Sequence, residues 1–420
     1  MVDGLPATRS PATPATPASP GPAPRPPVTS GRGRTVLLAV AAGTAVANIY
    51  YAQPLLPTIA REFGAAPRDV GLVATITQVG FGTGLLFFVP LGDAVERRRL
   101  MLRLLAAASA ALAAAALAPS LPALVAASFA LGLVSVLPQL AVPLAAHLAP
   151  PEERGRAIGT VMTGILIGIL LARTAAGLVG QHLGWRAVYG LAAGAMVVLS
   201  VALLRLLPPS PPEARVRWRE LMRALVVLPL REPALREASL LGAAGMASFS
   251  ALWSTLAFRL EAAPHHLGPQ AAGLFGLLGA AGAIAAGPAG RLGDRRSPRA
   301  IGGAFLALAA VSWLPLLLLD GSLAGLAAGV VLVDLGVQGS HVSNLARIHA
   351  LPGAERSRRN TVYMVSYFAG GSFGTALATF AFSRWGWPGV VAVGAALPAL
   401  GLLLWALGGR RRPARTGPLP

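Results

Sequence analysis

The sequence predicts an all-α integral membrane protein with twelve transmembrane helices in two six-helix halves. Of its 420 residues, 55% are apolar and only 12% are charged. Long apolar runs approach the roughly 20 residues that a helix needs to cross a bilayer. Three short sequence markers also recur at an offset of 201 to 202 residues. Such a fixed offset indicates two copies of one unit.

The repeated markers combine glycine with charge or with tryptophan. They are Leu91-Gly92-Asp93 with Leu292-Gly293-Asp294, the segments 151–156 and 352–358, and Gly184-Trp185 with Gly386-Trp387. An even number of spans in each copy returns the chain to its starting side, so matching loops of the two copies share one face of the membrane.

Apolar runs predict the twelve spans in order. Spans one to six are expected at 36–59, 69–90, 100–118, 122–148, 157–180 and 186–207. Spans seven to twelve are expected at 238–258, 270–289, 300–319, 322–346, 361–382 and 388–408. The predicted domains are a disordered cytoplasmic tail (1–34), a first half (35–207), a linker with an interfacial helix (208–237), a second half (238–408) and a C-terminal tail (409–420).

Orientation follows from arginine, which supplies all 35 basic residues because the chain lacks lysine. If both termini lie inside, 29 arginines fall on that side and Arg173 falls within span five. The opposite side has five, which are Arg61, Arg68, Arg186, Arg259 and Arg384. By the positive-inside rule, we expect a multi-pass protein of the cytoplasmic membrane with both termini cytoplasmic. The two ends of the helix bundle are called the arginine-rich and the arginine-poor end below.

Several function classes are excluded on composition. The net charge of +19 is explained by topology and by attraction to anionic lipid, so no nucleic-acid partner is expected. Cysteine is absent, which excludes disulfides and thiol chemistry. No phosphate-binding loop, metal-ligand cluster or nucleophile–base pair is visible, so we expect neither a cofactor nor an enzyme. A non-transporting membrane sensor would need a sizeable soluble domain, and the longest loop is the 208–237 linker.

Two loops at the arginine-rich end resemble a known signature. Segment 90–99 reads Pro-Leu-Gly-Asp-Ala-Val-Glu-Arg-Arg-Arg and segment 290–296 reads Gly-Arg-Leu-Gly-Asp-Arg-Arg. Both are similar to the cytoplasmic motif of the major facilitator superfamily, and the resemblance extends over 35–408. It implies a conformational latch built from Gly92, Asp93, Arg97, Gly290, Asp294 and Arg295. The first copy departs from the motif, because Val89 stands where a glycine is usual.

Polar side chains inside spans indicate where a substrate would bind, because a polar group facing lipid is costly. Segment 47–57 of span one reads Ala-Asn-Ile-Tyr-Tyr-Ala-Gln-Pro-Leu-Leu-Pro and resembles drug and sugar efflux members of that superfamily. Its two prolines predict a break in the helix. The predicted substrate-cavity residues are Asn48, Tyr51, Gln53, Gln78, Arg173, Trp253 and Gln338. The alternative for the span-one residues is helix packing near the outer interface.

Span ten contains Asp334, the only carboxylate well inside any predicted span. Gln338 and His341 follow at i+4 and i+7, on the same helix face. A buried carboxylate and a histidine two turns away are suited to moving a proton, so Asp334 and His341 are the predicted proton-coupling residues. The alternative is that Asp334 only fixes helix packing.

Arg173 lies in an apolar stretch of span five, beside small residues at every fourth position: Gly164, Gly168, Ala172, Ala176 and Gly180. Such a stripe permits close helix approach, and the resemblance puts it at the moving interface between the halves. Arg173 needs an acceptor, which would be a carboxylate, helix carbonyls or an anionic substrate group. The alternative is that its side chain extends to the outer interface.

These observations together predict a secondary transporter that moves a small molecule by alternating access. The resemblance favours proton-coupled export of an amphipathic compound by a monomer. A sugar or metabolite efflux or uptake permease remains the alternative.

Overall fold

The structure is a computed structural model that describes residues 32–210, 218–279, 297–352 and 355–410, and these ranges are helical without strands. The predicted disordered tail lies outside them up to residue 31, as does the C-terminal tail from residue 411. The helices of the first half are α1 (Arg32–Ala47), α2 (Leu56–Phe63), α3 (Pro67–Ala94), α4 (Arg97–Ala116), α5 (Leu121–Val134), α6 (Leu137–Leu148), α7 (Arg154–Leu183) and α8 (Trp185–Leu206).

The linker forms one helix, α9 (Trp218–Arg231), where the sequence predicted one. The helices of the second half are α10 (Pro233–Glu261), α11 (Pro269–Phe275), α12 (Pro298–Val311), α13 (Trp313–Leu318), α14 (Leu323–His349) and α15 (Arg356–Arg410). The helix of span four is interrupted between α5 and α6, and the helix of span nine is interrupted between α12 and α13.

Nine helical segments of the described ranges are long and apolar enough to cross a bilayer. The last of them, Arg356–Gly408, contains both span eleven and span twelve. Span eight is described only up to residue 279, and span one is divided between two helices. The nine segments contain ten of the predicted spans, and spans one and eight complete the predicted twelve.

Large apolar side chains cover the outside of the bundle. Val198 is 67% exposed and Leu404 is 45% exposed, each within a long apolar helix. Contiguous apolar surface of this kind is rare on soluble monomers. The surface is therefore suited to contact with lipid.

Span one is broken, as its prolines predicted, but the break begins before them. α1 ends at Ala47, the chain turns through 48–52, and a short 3₁₀ segment (Gln53–Leu55) leads into α2. Inside this break, the Asn48 side-chain amide donates to Ser135 Oγ at 3.3 Å. The predicted break of span one is therefore present, starting after Ala47 rather than at the first proline, and it lies beside the interface between the halves.

Two glycines replace loops that the sequence led us to expect. Gly184 separates α7 from α8 with φ of 81°, and Gly386 separates spans eleven and twelve within α15 with φ of 65°. A residue with a side chain rarely adopts such φ values. The repeated Gly-Trp marker therefore corresponds to a one-residue corner in each half, with the tryptophan starting the next span.

Within the described residues, the two most extensive contacts between the halves are two helix pairs. Span two packs against span eleven, and span five packs against span eight. At the arginine-poor end, Arg61 forms an ion pair with Glu261, and the Arg68 backbone N–H donates to Ser383 Oγ at 2.9 Å. The bundle is therefore closed between its halves at this end.

Candidate functional site

Arg173 of span five is the central residue of the interface between spans five and eight. Its side chain is buried, with the whole residue 2% exposed. Its Nε donates to Gln53 Oε1 at 2.6 Å. The predicted alternative, extension of the side chain to the outer interface, is therefore wrong. The first acceptor proves to be a side-chain amide on the broken segment of span one.

Aromatic rings cover the Arg173 guanidinium. Its Cζ lies 4.2 Å from the ring centroid of Trp253, 4.6 Å from that of Tyr50 and 5.5 Å from that of Phe249. Cation–π contacts of this kind are strongest when the cation is removed from water. Spans one and seven therefore hold the charge of span five in place.

Trp253 connects this cation to the buried carboxylate of span ten. Its Nε1 donates to Asp334 Oδ1 at 3.1 Å, and Asp334 is 3% exposed. The indole thus presents its face to Arg173 and its N–H edge to Asp334. One ring of the second half therefore contacts a cation of the first half and an anion of its own half.

Three glycines of span eight allow this arrangement. A Cβ added at Gly273 would lie 2.7 Å from Arg173 O, and one at Gly276 would lie 2.8 Å from Arg173 Cβ. A Cβ at Gly279 would lie 3.0 Å from Asp334 Oδ2. At Gly273 and Gly276 these distances are shorter than real Cβ contacts, so any larger residue there would force span five and span eight apart. This row of glycines was not among the predicted site residues, although its three-residue spacing is visible in the sequence.

We call Gln53, Arg173, Trp253 and Asp334 the charged crossing. A small cavity lies beside it, lined by Gln53, Pro54, Arg173, Trp253, Leu256, Ala257 and Ala272. Nη2 of Arg173 is buried and has no hydrogen-bond partner. The charged crossing therefore retains a buried guanidinium nitrogen without a partner, and most of the residues that line the neighbouring cavity are apolar.

A second polar contact joins spans two, seven and eleven, and we call Gln78, Ser250 and Thr375 the neutral crossing. Gln78 Nε2 donates to Thr375 Oγ1 at 3.0 Å, and Ser250 Oγ donates to Gln78 Oε1 at 3.3 Å. Gln78 was predicted to line the substrate cavity together with Arg173. In the structure its amide instead joins the two halves at a separate place.

Other predicted residues lie away from Arg173. Asn48 is buried in the first half, where its side chain contacts Ser135 and Met196. Tyr51 is buried without a ring contact to the guanidinium, whereas its neighbour Tyr50 makes that contact. Gln338 is half-buried one turn beyond Asp334. These placements leave Gln53, Arg173 and Trp253 as the predicted cavity residues that the structure brings together.

His341 contacts tyrosines of span eleven. Its Nδ1 lies 2.9 Å from Tyr363 Oη, and its ring centroid lies 4.5 Å from that of Tyr367. The hydrogen bond of His341 thus connects span ten to span eleven, two turns from Asp334.

The stripe of small residues on span five packs within its own half. A Cβ at Gly164 would collide with the backbone of Ala39, and one at Gly168 with the backbone of Gly43. The expected position of the stripe between the two halves was therefore wrong for these glycines. The other half is instead met by Gly177 and by Thr174, whose Oγ1 donates to Gly273 O at 3.0 Å.

The predicted latch is only partly within the described residues. Arg97 is buried, and its Nε donates to Gly92 O at 3.2 Å. The Asp93 side chain lies outside the described atoms. Gly290, Asp294 and Arg295 also lie outside them, in 280–296.

Comparison with known proteins identifies the family. Residues 38–351 match the Major Facilitator Superfamily. The chain is 40% identical over 379 residues to the uncharacterized transporter YgaY of Escherichia coli O157:H7, covering 90% of this chain and 96% of that protein. It is 41% identical over 384 residues to the probable transporter SCO4007 of Streptomyces coelicolor, covering 90% and 87% of the two chains.

Two solved structures have the same fold. A bacterial homolog of the human lysosomal transporter Spinster, crystallised inward-facing and unoccupied, superposes with a TM-score of 0.74 at 16% identity, covering 91% of this chain and 98% of that chain. A peptide transporter (POT) in complex with sulfate gives a TM-score of 0.72 at 17% identity, covering 90% and 94%. On the family match and on the close relatives, the chain belongs to the Major Facilitator Superfamily and is a multi-pass, non-enzymatic secondary transporter.

Proposed function

We propose that this transporter couples the movement of an amphipathic small molecule to proton movement through Asp334. The observation that carries the proposal is the position of this carboxylate, which is buried within the membrane and hydrogen-bonded to Trp253 beside the cavity between the halves. Intramembrane carboxylates are expensive and usually functional. A proton taken up from one side would neutralise the Asp334 carboxylate, and its release to the other side would restore the negative charge opposite Arg173.

Closure at the arginine-poor end supports alternating access around this cavity. The Arg61–Glu261 pair lies at that end, and the span five–span eight contact extends from Arg173 and Gly276 at the site to Gly177 and Pro269. In the proposed cycle these contacts break when the halves rock, and the cavity opens to the other side. The arginine asymmetry supports a cytoplasmic position of the arginine-rich end, where Asp93 and Asp294 would act as latches. The working unit in this proposal is a monomer.

Export is the direction that the span-one resemblance supports. His341 would relay protons between the cavity and the cytoplasm through its hydrogen bond with Tyr363. Asn48, Tyr51, Gln78 and Gln338 would act on transport through helix packing, because the contacts of the first three lie away from Arg173 and Gln338 extends from the turn beyond Asp334.

A second candidate function is a permease for a metabolite. The buried guanidinium of Arg173 favours it, because a lipophilic cation entering the cavity would meet a like charge in a medium of low dielectric constant. A neutral or acidic compound would not meet that repulsion.

Proton movement in inverted vesicles tests the proposal. A pH-sensitive dye would follow an imposed gradient while lipophilic cations, sugars and organic acids are added to wild type, Asp334→Asn and the control Asp69→Asn. Asp69 is a carboxylate half-exposed at the arginine-poor end. We expect an active compound to change the gradient with wild type and the control but not with Asp334→Asn. Equal responses of all three proteins would assign Asp334 a structural role only.

A further inference from the structure

The unused donor of Arg173 points to a ligand. Nη2 is buried without a partner, and leaving a buried charged donor unsatisfied costs more than a typical hydrogen bond contributes. A buried polar group without a partner in a native structure calls for an explanation, and an ionisable group inside a membrane usually marks a substrate or ion pathway. Arg173 lines the cavity beside the charged crossing, which in this closed state has a volume of about 10 Å³. That volume holds about one water, so a larger ligand reaches the guanidinium only in the state in which the halves have opened.

The other contacts of the Arg173 guanidinium show which of its groups are already occupied. Gln53 Oε1 occupies Nε at 2.6 Å, while Tyr50 and Trp253 cover the ring-facing sides of the group. The indole N–H is bound to Asp334. A ligand therefore meets a fixed arginine whose faces are covered and whose Nη2 lacks an acceptor.

The chemistry of the lining selects the ligand class. A carboxylate accepts strongly from a guanidinium. Pro54, Leu256, Ala257 and Ala272 offer apolar surface to the rest of the molecule. A sugar would need several polar partners. Among the described residues of the lining, polar side-chain groups are limited to those of Gln53, Arg173 and Trp253, and Gln53 Oε1 and Trp253 Nε1 are already hydrogen-bonded. A cation would be repelled by Arg173.

We propose that the transported compound is an amphipathic carboxylate, whose acid group binds Nη2 of Arg173 while its apolar part lies against Leu256, Ala257 and Ala272. This inference rests on the proposed transport through this cavity but not on the proton coupling through Asp334.

The charge of Asp334 has a defined effect on such a ligand. Both the ligand carboxylate and Asp334 lie near the one cation, Arg173, so each weakens the other in a low-dielectric site. Neutralising Asp334 therefore strengthens carboxylate binding. The proton and the acid then occupy the cavity together and cross the membrane in the same direction. This matches the metabolite permease, the second candidate function, rather than an exchange of substrate for protons.

Thermal unfolding of the purified full-length protein in detergent measures binding directly. The probes are two matched sets, namely phenylacetate, phenylacetamide and phenethylamine, and indole-3-acetate, indole-3-acetamide and tryptamine. We expect at least one of the two acids to raise Tm, whereas the amides and amines leave it unchanged. No shift with either acid, or an equal shift with its amide, overturns the inference.

Variants locate the binding group. Arg173→Gln should weaken acid binding about tenfold or more, the expected loss of a charge-assisted hydrogen bond. Arg384→Gln is the control. It changes an exposed arginine at the arginine-poor end and should bind the acid as wild type does. If Arg173→Gln does not fold, Arg173→Lys retains the cation but lacks the Nη2 geometry, and it should also bind about tenfold more weakly. Binding that survives in both Arg173 variants overturns the inference.

Asp334→Asn separates the inference from the proposed function. We expect this variant to bind the acid several times more tightly while losing proton coupling in vesicles. Tight acid binding through Arg173 combined with unchanged proton flux in Asp334→Asn leaves the inference standing and removes the coupling. If a lipophilic cation drives proton flux that depends on Asp334 and neither acid binds, the proton coupling stands and the inference fails.

Discussion

The charged crossing and the neutral crossing both join the two halves of the transporter inside the membrane, but they differ in how completely their polar groups are used. In the neutral crossing, the Gln78 amide both donates to Thr375 and accepts from Ser250. In the charged crossing, Arg173 retains a buried Nη2 without a partner. A neutral contact whose hydrogen bonds are all made holds helices together. A buried cation that lacks an acceptor can still bind one.

Energetics separate the two contacts further. Hydrogen bonds between membrane helices contribute about 0.6 kcal/mol on average, which suits a contact that must break in every transport cycle. A buried charge costs several kcal/mol unless it is paired. The structure reduces that cost by covering Arg173 with Tyr50 and Trp253. Removing parts of each crossing should therefore have different consequences.

Gly276→Leu should have the largest effect, because it pushes span eight away from the charged crossing. A Cβ at this position already lies 2.8 Å from Arg173 Cβ. We expect loss of transport with a Tm lowered by several degrees, in line with overpacking costs of about 1–3 kcal/mol. Gly190→Leu is the control, because a Cβ there meets nothing within 4 Å. Normal transport by Gly276→Leu would argue against this helix approach.

Trp253→Phe should have the next largest effect, because it retains an aromatic face for Arg173 but removes the hydrogen bond to Asp334. A hydrogen bond to a charged group is worth about 1.5–3 kcal/mol, so transport at subsaturating substrate should fall about tenfold or more. Trp387→Phe removes an equivalent indole bond, to Leu316 O, away from the site. Transport should therefore fall only in the Trp253 variant, and an equal loss in both would show that the indole bonds matter only for folding.

Gln78→Leu and Thr375→Val should affect stability more than selectivity. A double-mutant cycle on Tm should give a coupling energy of about 0.6 kcal/mol, as for other hydrogen bonds between membrane helices. The substrate preference should not change in either variant. A switch in preference would mean that the neutral crossing contacts the substrate, and the two crossings would then not differ in this respect.

Arg61→Gln and Glu261→Gln should have the smallest effect. Their ion pair is partly exposed, and exposed pairs contribute about 0–1 kcal/mol. We expect a small shift toward the state that is open at the arginine-poor end, measured by accessibility of an introduced cysteine. The shift should disappear at high salt, because salt screens exposed charges. A large, salt-independent shift would assign closure to this pair instead of to the packing of span five on span eight.

The residues of the charged crossing were predictable because charge and amides inside apolar runs are conspicuous. Gln53, Arg173, Trp253 and Asp334 were all selected, and the need of Arg173 for an acceptor was recognised. Their mutual contacts were not predictable, because they connect four spans distant in sequence.

Other predicted cavity residues make their contacts apart from Arg173, for identifiable physical reasons. Tyr51 was chosen over Tyr50, and the break of span one alters which side chain faces the guanidinium. Gln78 and Asn48 were assigned to the cavity because an intramembrane amide serves helix packing and ligand binding equally well. The twelve spans were simpler to predict, since each depends on local hydropathy. The glycine row on span eight would have required knowing which helix it meets.

The corner at Gly184 has a consequence for how motion travels through the first half. With one residue between α7 and α8, no slack remains to absorb a tilt of the helix that contains Arg173. A tilt of span five should therefore be transmitted directly to the start of span six. A fluorescent reporter attached to the exposed face of span six, far from any ligand contact, would then register each movement of the arginine without disturbing it.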